Sequence, residues 1–92
     1  MEQDNYLKEV HILYDIYKKK NHDYGNSFDI QCDDFGVVAA VIRMYDKVNR
    51  LKTLCKSKAE VSESILDTVE DLANYSIMTA MWLKKEKNDN KK

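Results

Sequence analysis

Carboxylates recur through residues 63–75, ESILDTVEDLANY, at a spacing that suits a cation or a phosphate-bearing substrate. At about 100° per helical residue, Glu63, Asp67, Glu70 and Asn74 fall in one narrow arc, with Asp71 at its edge. Acids at i, i+4 and i+8 can hold Mg²⁺ through one or two direct contacts and leave its other positions to water and phosphate oxygens. A metal held in this way can activate water against a phosphoanhydride. Without that step the same groups simply hold a phosphorylated ligand. Residues 43–50 supply the opposite charge. Arg43, Lys47 and Arg50 share an arc, with Asp46 beside them, and the two arginines are the only ones in the chain. A guanidinium fork matches carboxylate and phosphate alike. The plain alternative is that these three bases neutralise Glu63, Asp67 and Asp71 as inter-helix ion pairs, each of modest value.

The pattern predicts three main helices to position these groups. Asp4 or Asn5 can cap a first helix over residues 6–20, with Leu7, Val10, Leu13, Tyr14 and Tyr17 as its apolar stripe and Lys18, Lys19 and Lys20 in its last turn. His11 within it reads as a packed or surface histidine. Residues 21–34, NHDYGNSFDIQCDD, read as a connector rich in turn formers. Its Tyr24, Asn26 and Phe28, near Lys20, suit a nucleobase stacked above a phosphate. Equally, the aromatics pin an ordered loop onto the core. Asp33 or Asp34 can cap a second helix over residues 35–55. Its apolar side carries Val37, Val38, Val41, Met44, Tyr45 and Val48, while Gly36, Ala39 and Ala40 leave room along the basic arc. Ser57 with Glu60, or Ser62, can start a third helix that runs to about Lys85 and lies antiparallel to the second. A charged tail, residues 87–92, follows a single domain over residues 1–86.

The third helix has two apolar regions. Ile65, Leu66, Val69, Leu72 and Ala73 oppose the acids and read as a core face. Beyond Asn74, however, the acidic arc itself continues as Ile77, Met78, Met81 and Trp82, which puts the acids at the mouth of something buried. A small domain cannot easily cover both regions, so a homo-oligomer, at least a dimer, is expected.

Composition narrows the function classes. The chain has 92 residues, 43% hydrophobic and 34% charged, no proline and two glycines, which fits an all-α fold with one small core. A net charge of −1 gives no support to nucleic-acid polymer binding. Cys32 and Cys55 lack zinc-site spacing and read as reduced thiols. The amphipathic, acidic N-terminus does not read as a secretory signal, and no apolar run approaches a membrane span. The expectation is a soluble, cytoplasmic protein with no membrane partner. No P-loop, GxSxG, HExxH or Cys–His nucleophile pattern is present.

The segments KNHDYGNSF (20–28), RMYDKVNRL (43–51) and ESILDTVEDLANYSIM (63–78) together resemble the nucleotide modification associated domain 1 (DUF1599) family, small and mostly phage-encoded helical proteins. More distantly, the chain is similar to all-α nucleoside triphosphate pyrophosphatases of the MazG type, which use acids on two helices to bind Mg²⁺. The resemblance implies a small MazG-like helical bundle completed by oligomerisation. It makes Asp46, Glu63, Asp67 and Asp71 the metal- or phosphate-proximal positions, with Mg²⁺ as the cofactor, and puts Tyr24, Asn26 and Phe28 near the base. Where MazG proteins carry an ExxE pair, this chain carries Arg43, Asp46 and Lys47, a change that moves the site from cation toward anion binding. The first expectation is therefore a protein that binds a phosphorylated nucleotide between helices or subunits through Lys20, Tyr24, Asn26, Phe28, Arg43, Lys47, Arg50 and Asn74. In a phage it would sequester a nucleotide signal of host defence, in the host cytoplasm. The second is a Mg²⁺-dependent nucleoside triphosphate pyrophosphohydrolase that works through Glu63 and Asp67. The third is a helical protein-interaction module.

Overall fold

The structure is a computed structural model that describes the backbone of residues 2–24, 26–56 and 61–90 and the side chains of residues 3–22, 26–56 and 64–88. The chain is all-α: helix α1 spans Glu2–Tyr24, α2 Ser27–Phe35, α3 Val38–Lys56 and α4 Val61–Asn90. Helices α1, α3 and α4 are the three that the periodicity predicts; α1 and α4 are longer than expected, α3 starts three residues later, and α4 runs on to Asn90 through much of the presumed tail. No internal proline interrupts them. The expected caps Ser57, Glu60 and Ser62 lie outside the described side chains.

Helix α2 corrects the reading of residues 21–34 as a connector. Its apolar stripe consists of little more than Phe28 and Cys32, one turn apart and both buried, too few residues for periodicity to register. Asn26 occupies its N-cap position without a side-chain cap hydrogen bond, and Asp29 in the first turn suits the helix dipole. Asp33 and Asp34, expected as caps, sit inside α2. The Asp33 carboxylate instead accepts the Trp82 indole N–H at 2.9 Å. Gly36 ends the helix: its N–H returns to the Cys32 carbonyl at 2.7 Å, and its backbone turns to φ 81°, ψ −172°. That region is essentially closed to residues with a Cβ, and it lets α3 fold back against α2.

Contacts Lys47–Asp71 and Met44–Ser76 run in opposite chain directions, which makes α3 and α4 an antiparallel hairpin. Helix α2 packs on α3, and α1 lies along α4. The core is small and sits where α2, α3 and the late part of α4 meet: Phe28, Cys32, Ala39, Ala40 and Trp82, with Met44, Tyr75 and Met78 against them. Ala40 is 0% exposed and Cys32 1%. These small side chains let the helices approach closely.

The face of α3 assigned to the core is the exposed one. Val37, Val38, Val41, Tyr45 and Val48 all face outward, Tyr45 at 61% exposure, and only Met44 of that set is half-buried. On α4, Leu66 and Val69 are likewise exposed, whereas Thr68, Glu70, Asn74 and Thr79 are buried. On α1, Leu13 is buried and Tyr17 half-buried, but Leu7, Val10 and Tyr14 are exposed. Apolar periodicity located the helices but not the side on which each meets its neighbours. Of the run expected to lead inward, helices of the same chain cover Met78 and Trp82, whereas Ile77 and Met81 are exposed. On the face assigned to the core, Leu66 and Val69 are exposed and Ile65, Leu72 and Ala73 half-buried.

Candidate functional site

A cavity of about 390 Å³ opens between all four helices, within the range of small-molecule sites. Helix α1 contributes Tyr17, Lys20 and Asn21, and α2 contributes Ser27 and Phe28. Arg43 comes from α3, and Asp71, Asn74, Tyr75 and Met78 from α4. The inward arc of α4 carries acid and amide at the cavity and then Met78 and Trp82 deeper in. A second cavity of about 270 Å³ lies alongside, sharing Tyr17, Asn21, Phe28 and Met78 and adding Asn26, Asp29, Met81, Trp82 and Lys85.

Arg43 is held by neutral partners. Its Nε–H donates to the Gln31 side-chain oxygen at 2.7 Å, and its guanidinium lies 5.6 Å from the Phe28 ring centre and 5.9 Å from that of Tyr75. The two rings are themselves 6.0 Å apart, tilted by 31°. The aromatic contacts restrain the guanidinium beside the ring pair, and Arg43 lines the cavity. Among the described residues no carboxylate pairs with Arg43. The anticipated bridge from this arginine to the acids is therefore not formed.

One anticipated bridge does form. Lys47 Nζ donates to one Asp71 oxygen at 3.3 Å, and Lys20 Nζ donates to the other. Burial pushes the Asp71 carboxyl up, but the hydrogen bonds and charges of Lys20 and then Lys47 outweigh it and hold the group below its ordinary range. The rim thus presents three cations, Lys20, Arg43 and Lys47, against one ionised acid, an excess that favours an anion. Lys47 also sits 5.9 Å over the Tyr75 ring.

Asn74 donates from its side-chain nitrogen to the Leu13 carbonyl at 3.1 Å and so pins α1 to α4 at the back of the cavity. One turn earlier Glu70 faces Glu9 of α1. Their hydrogen bond, then burial, then the charges of Glu9, Asp67 and Asp71 push the Glu70 carboxyl up to about 7. This favours the protonated form of Glu70, while Glu9 Oε2 is buried without a hydrogen-bond partner.

The expected site residues divide accordingly. Lys20, Phe28, Arg43, Asp71 and Asn74 line the larger cavity, Lys47 braces its rim, and Asn26 lines the adjoining cavity. Arg50, Asp46 and Asp67 are exposed and line neither cavity. The side chains of Tyr24 and Glu63 lie outside the described residues. Among the described residues no group of three acid, histidine or cysteine side chains is assembled for a metal, and Asp71 already neutralises two lysines. Asp46 and Asp67 are exposed and are not gathered with Asp71 into a cation site, and Glu63, the fourth acid of the expected set, lies outside the described side chains. Sequence reasoning missed Tyr17, Asn21 and Tyr75, all at the cavity. Tyr17 and Tyr75 look like ordinary core aromatics, and Asn21 like a turn former, until α2 closes over them.

The four helices thus enclose an aromatic-lined cavity at whose rim the described cations, Lys20, Arg43 and Lys47, outnumber the described acid, Asp71. By sequence, the chain belongs to the nucleotide modification associated domain 1 family, which it matches over residues 20–83. Comparison with curated proteins and with solved structures gives no match. The matched region spans the end of α1 and nearly all of α2, α3 and α4, so it includes Lys20, Arg43 and Asp71. No helix is long and apolar enough to cross a membrane among the described residues.

Proposed function

We propose that the protein binds a phosphorylated nucleotide in the cavity between the four helices and holds it intact. The observation that carries this reading is Arg43: a guanidinium lying against the Phe28–Tyr75 ring pair, tied to a neutral amide and unpaired by any described acid, at the wall of a ligand-sized cavity. Its terminal N–H groups would take phosphate oxygens, with Lys20 and Lys47 adding positive charge from the rim. Tyr17, Phe28 and Tyr75 offer ring faces for a base, and the Asn21 and Asn74 amides offer polar edges. The family's association with nucleotide modification supports a nucleotide over other organic anions.

Holding is favoured over hydrolysis because Asp71, the one acid at the cavity among the described residues, is occupied by two lysines. Sequestration of a nucleotide signal, as expected for a phage-type protein, is the use that best suits a site of this kind.

The test is release: heat the purified protein and identify the liberated small molecules by mass spectrometry, with and without prior incubation in a nucleotide mixture. The reading expects an intact phosphorylated nucleotide in stoichiometric amount. Nothing released after incubation, or only dephosphorylated or cleaved products, contradicts it.

A further inference from the structure

We infer that a second copy of this chain covers the outer face of the α3–α4 hairpin, giving a two-fold dimer whose cavities open on the sides away from the interface. The inference does not depend on what the cavity binds.

On α3, Val38, Val41, Tyr45 and Val48 recur at i, i+3, i+7 and i+10, the seam spacing of a helix that packs against another helix, yet all four are exposed. Val41 and Val48 lie roughly 140–160° around the helix from Arg43, so the seam points away from the cavity. On α4, Leu66, Val69 and Ile77 are exposed, and Val69 is turned roughly 160° from Asp71. Both helices of the hairpin thus carry an apolar stripe on the side that their own chain leaves uncovered.

The area argues for a copy of the same chain as the occupant. The chain exposes 7365 Å², whereas a compact monomer of its mass exposes about 5,500 Å². The surplus, about 1,900 Å², lies within the roughly 1,000–2,500 Å² that each partner contributes to an obligate homodimer. The radius of gyration, 15.1 Å, likewise exceeds the value of about 12 Å for a compact chain of this length. An isologous pair would bury the α3 and α4 stripes of both chains at once, forming a second core larger than the intrachain one.

Sedimentation equilibrium of the full chain should give twice the chain mass. A tenfold rise in protein concentration should raise the thermal midpoint by a few degrees, because mass action favours the folded dimer. Val41→Glu combined with Val69→Glu should reduce the mass to one chain and lower the midpoint at matched concentration. If that variant fails to fold, the concentration dependence of the wild-type midpoint still decides the question. A single-chain mass with concentration-independent melting overturns the inference, and so does a dimer that survives the double substitution.

Discussion

On the cavity side of the α3–α4 hairpin the chain buries Thr68, Glu70, Asn74 and Thr79, while on the far side it exposes Val41, Tyr45, Leu66 and Val69. The buried polar groups find partners locally. Thr68 and Thr79 hydroxyls donate one turn back to the Ser64 and Tyr75 carbonyls at 2.7 and 2.6 Å, Asn74 reaches Leu13, and the Glu70 carboxyl, raised by Glu9 and by burial, faces Glu9. Buried polar groups cost little when bonded, so this side can remain polar around a cavity. The far side has no such compensation, and its apolar stripes look outward. In the functions proposed above, the two sides have different tasks: one would receive a ligand, and the other a packing partner.

The largest way to break this contrast is to remove the core that closes the cavity. Trp82→Ala should cost about 3–5 kcal/mol of stability, more than most single substitutions, because the indole is buried in the core and its hydrogen bond to Asp33 is lost with it. Urea unfolding followed by circular dichroism measures it, and a cost under about 1 kcal/mol would show that the described core is not what holds α2 to α4. Next in size is Gly36→Ala. No atom would meet the new Cβ within 4 Å, so the expected loss of about 1–3 kcal/mol is backbone strain alone, read from the same unfolding curves.

Asp71→Asn sharpens the ligand side. Removing the one described acid from a cationic rim should leave nucleotide affinity unchanged or strengthen it, by up to about fivefold for about 1 kcal/mol of relieved repulsion. Isothermal titration calorimetry reads the change. Abolished binding would instead favour a metal-dependent site built on that carboxylate.

The smallest effect concerns pH. Glu70 is raised from 4.5 to about 7, so the folded state keeps a proton that the unfolded chain releases. Its contribution to stability is full below about pH 4.5 and is lost as pH rises through about 7. Glu70→Gln, which cannot ionise, should flatten the decline in thermal midpoint over that window. Asp71, held low by its lysines, contributes in the opposite sense: its stabilisation is present above 3.8 and is lost as pH falls through its lowered value. An unchanged decline in Glu70→Gln would mean that the Glu9–Glu70 pair does not carry it.

Much of this arrangement was legible in the sequence. The absence of proline and the long periodic segments gave an all-α chain, and the two arcs brought Arg43 and Lys47 to the side of α3 that meets Asp71 and Asn74. The run from Glu70 through Met78 to Trp82 marked the inward side of α4. Three things were not legible. Helix α2 hides because Phe28 and Cys32 are its only buried residues amid Asn, Ser and Asp. The core face of α3 was misread because a stripe of valines looks the same whether its partner is the same chain or another one, whereas the true inward face uses Ala39, Ala40 and Met44. Arg50 and Asp67 share their neighbours' arcs, but a helix arc sets only direction, and both lie beyond the stretch where α1 and α2 close the cavity.

The central claim rests on one guanidinium at a ligand-sized cavity, and calorimetric titration of the released nucleotide into wild-type protein and Arg43→Ala tests it most directly. With helix content unchanged, the account predicts at least about a thirtyfold rise in Kd, the equivalent of about 2 kcal/mol for a lost charge-assisted phosphate contact. Equal affinity in the two proteins would place the ligand elsewhere and contradict the account.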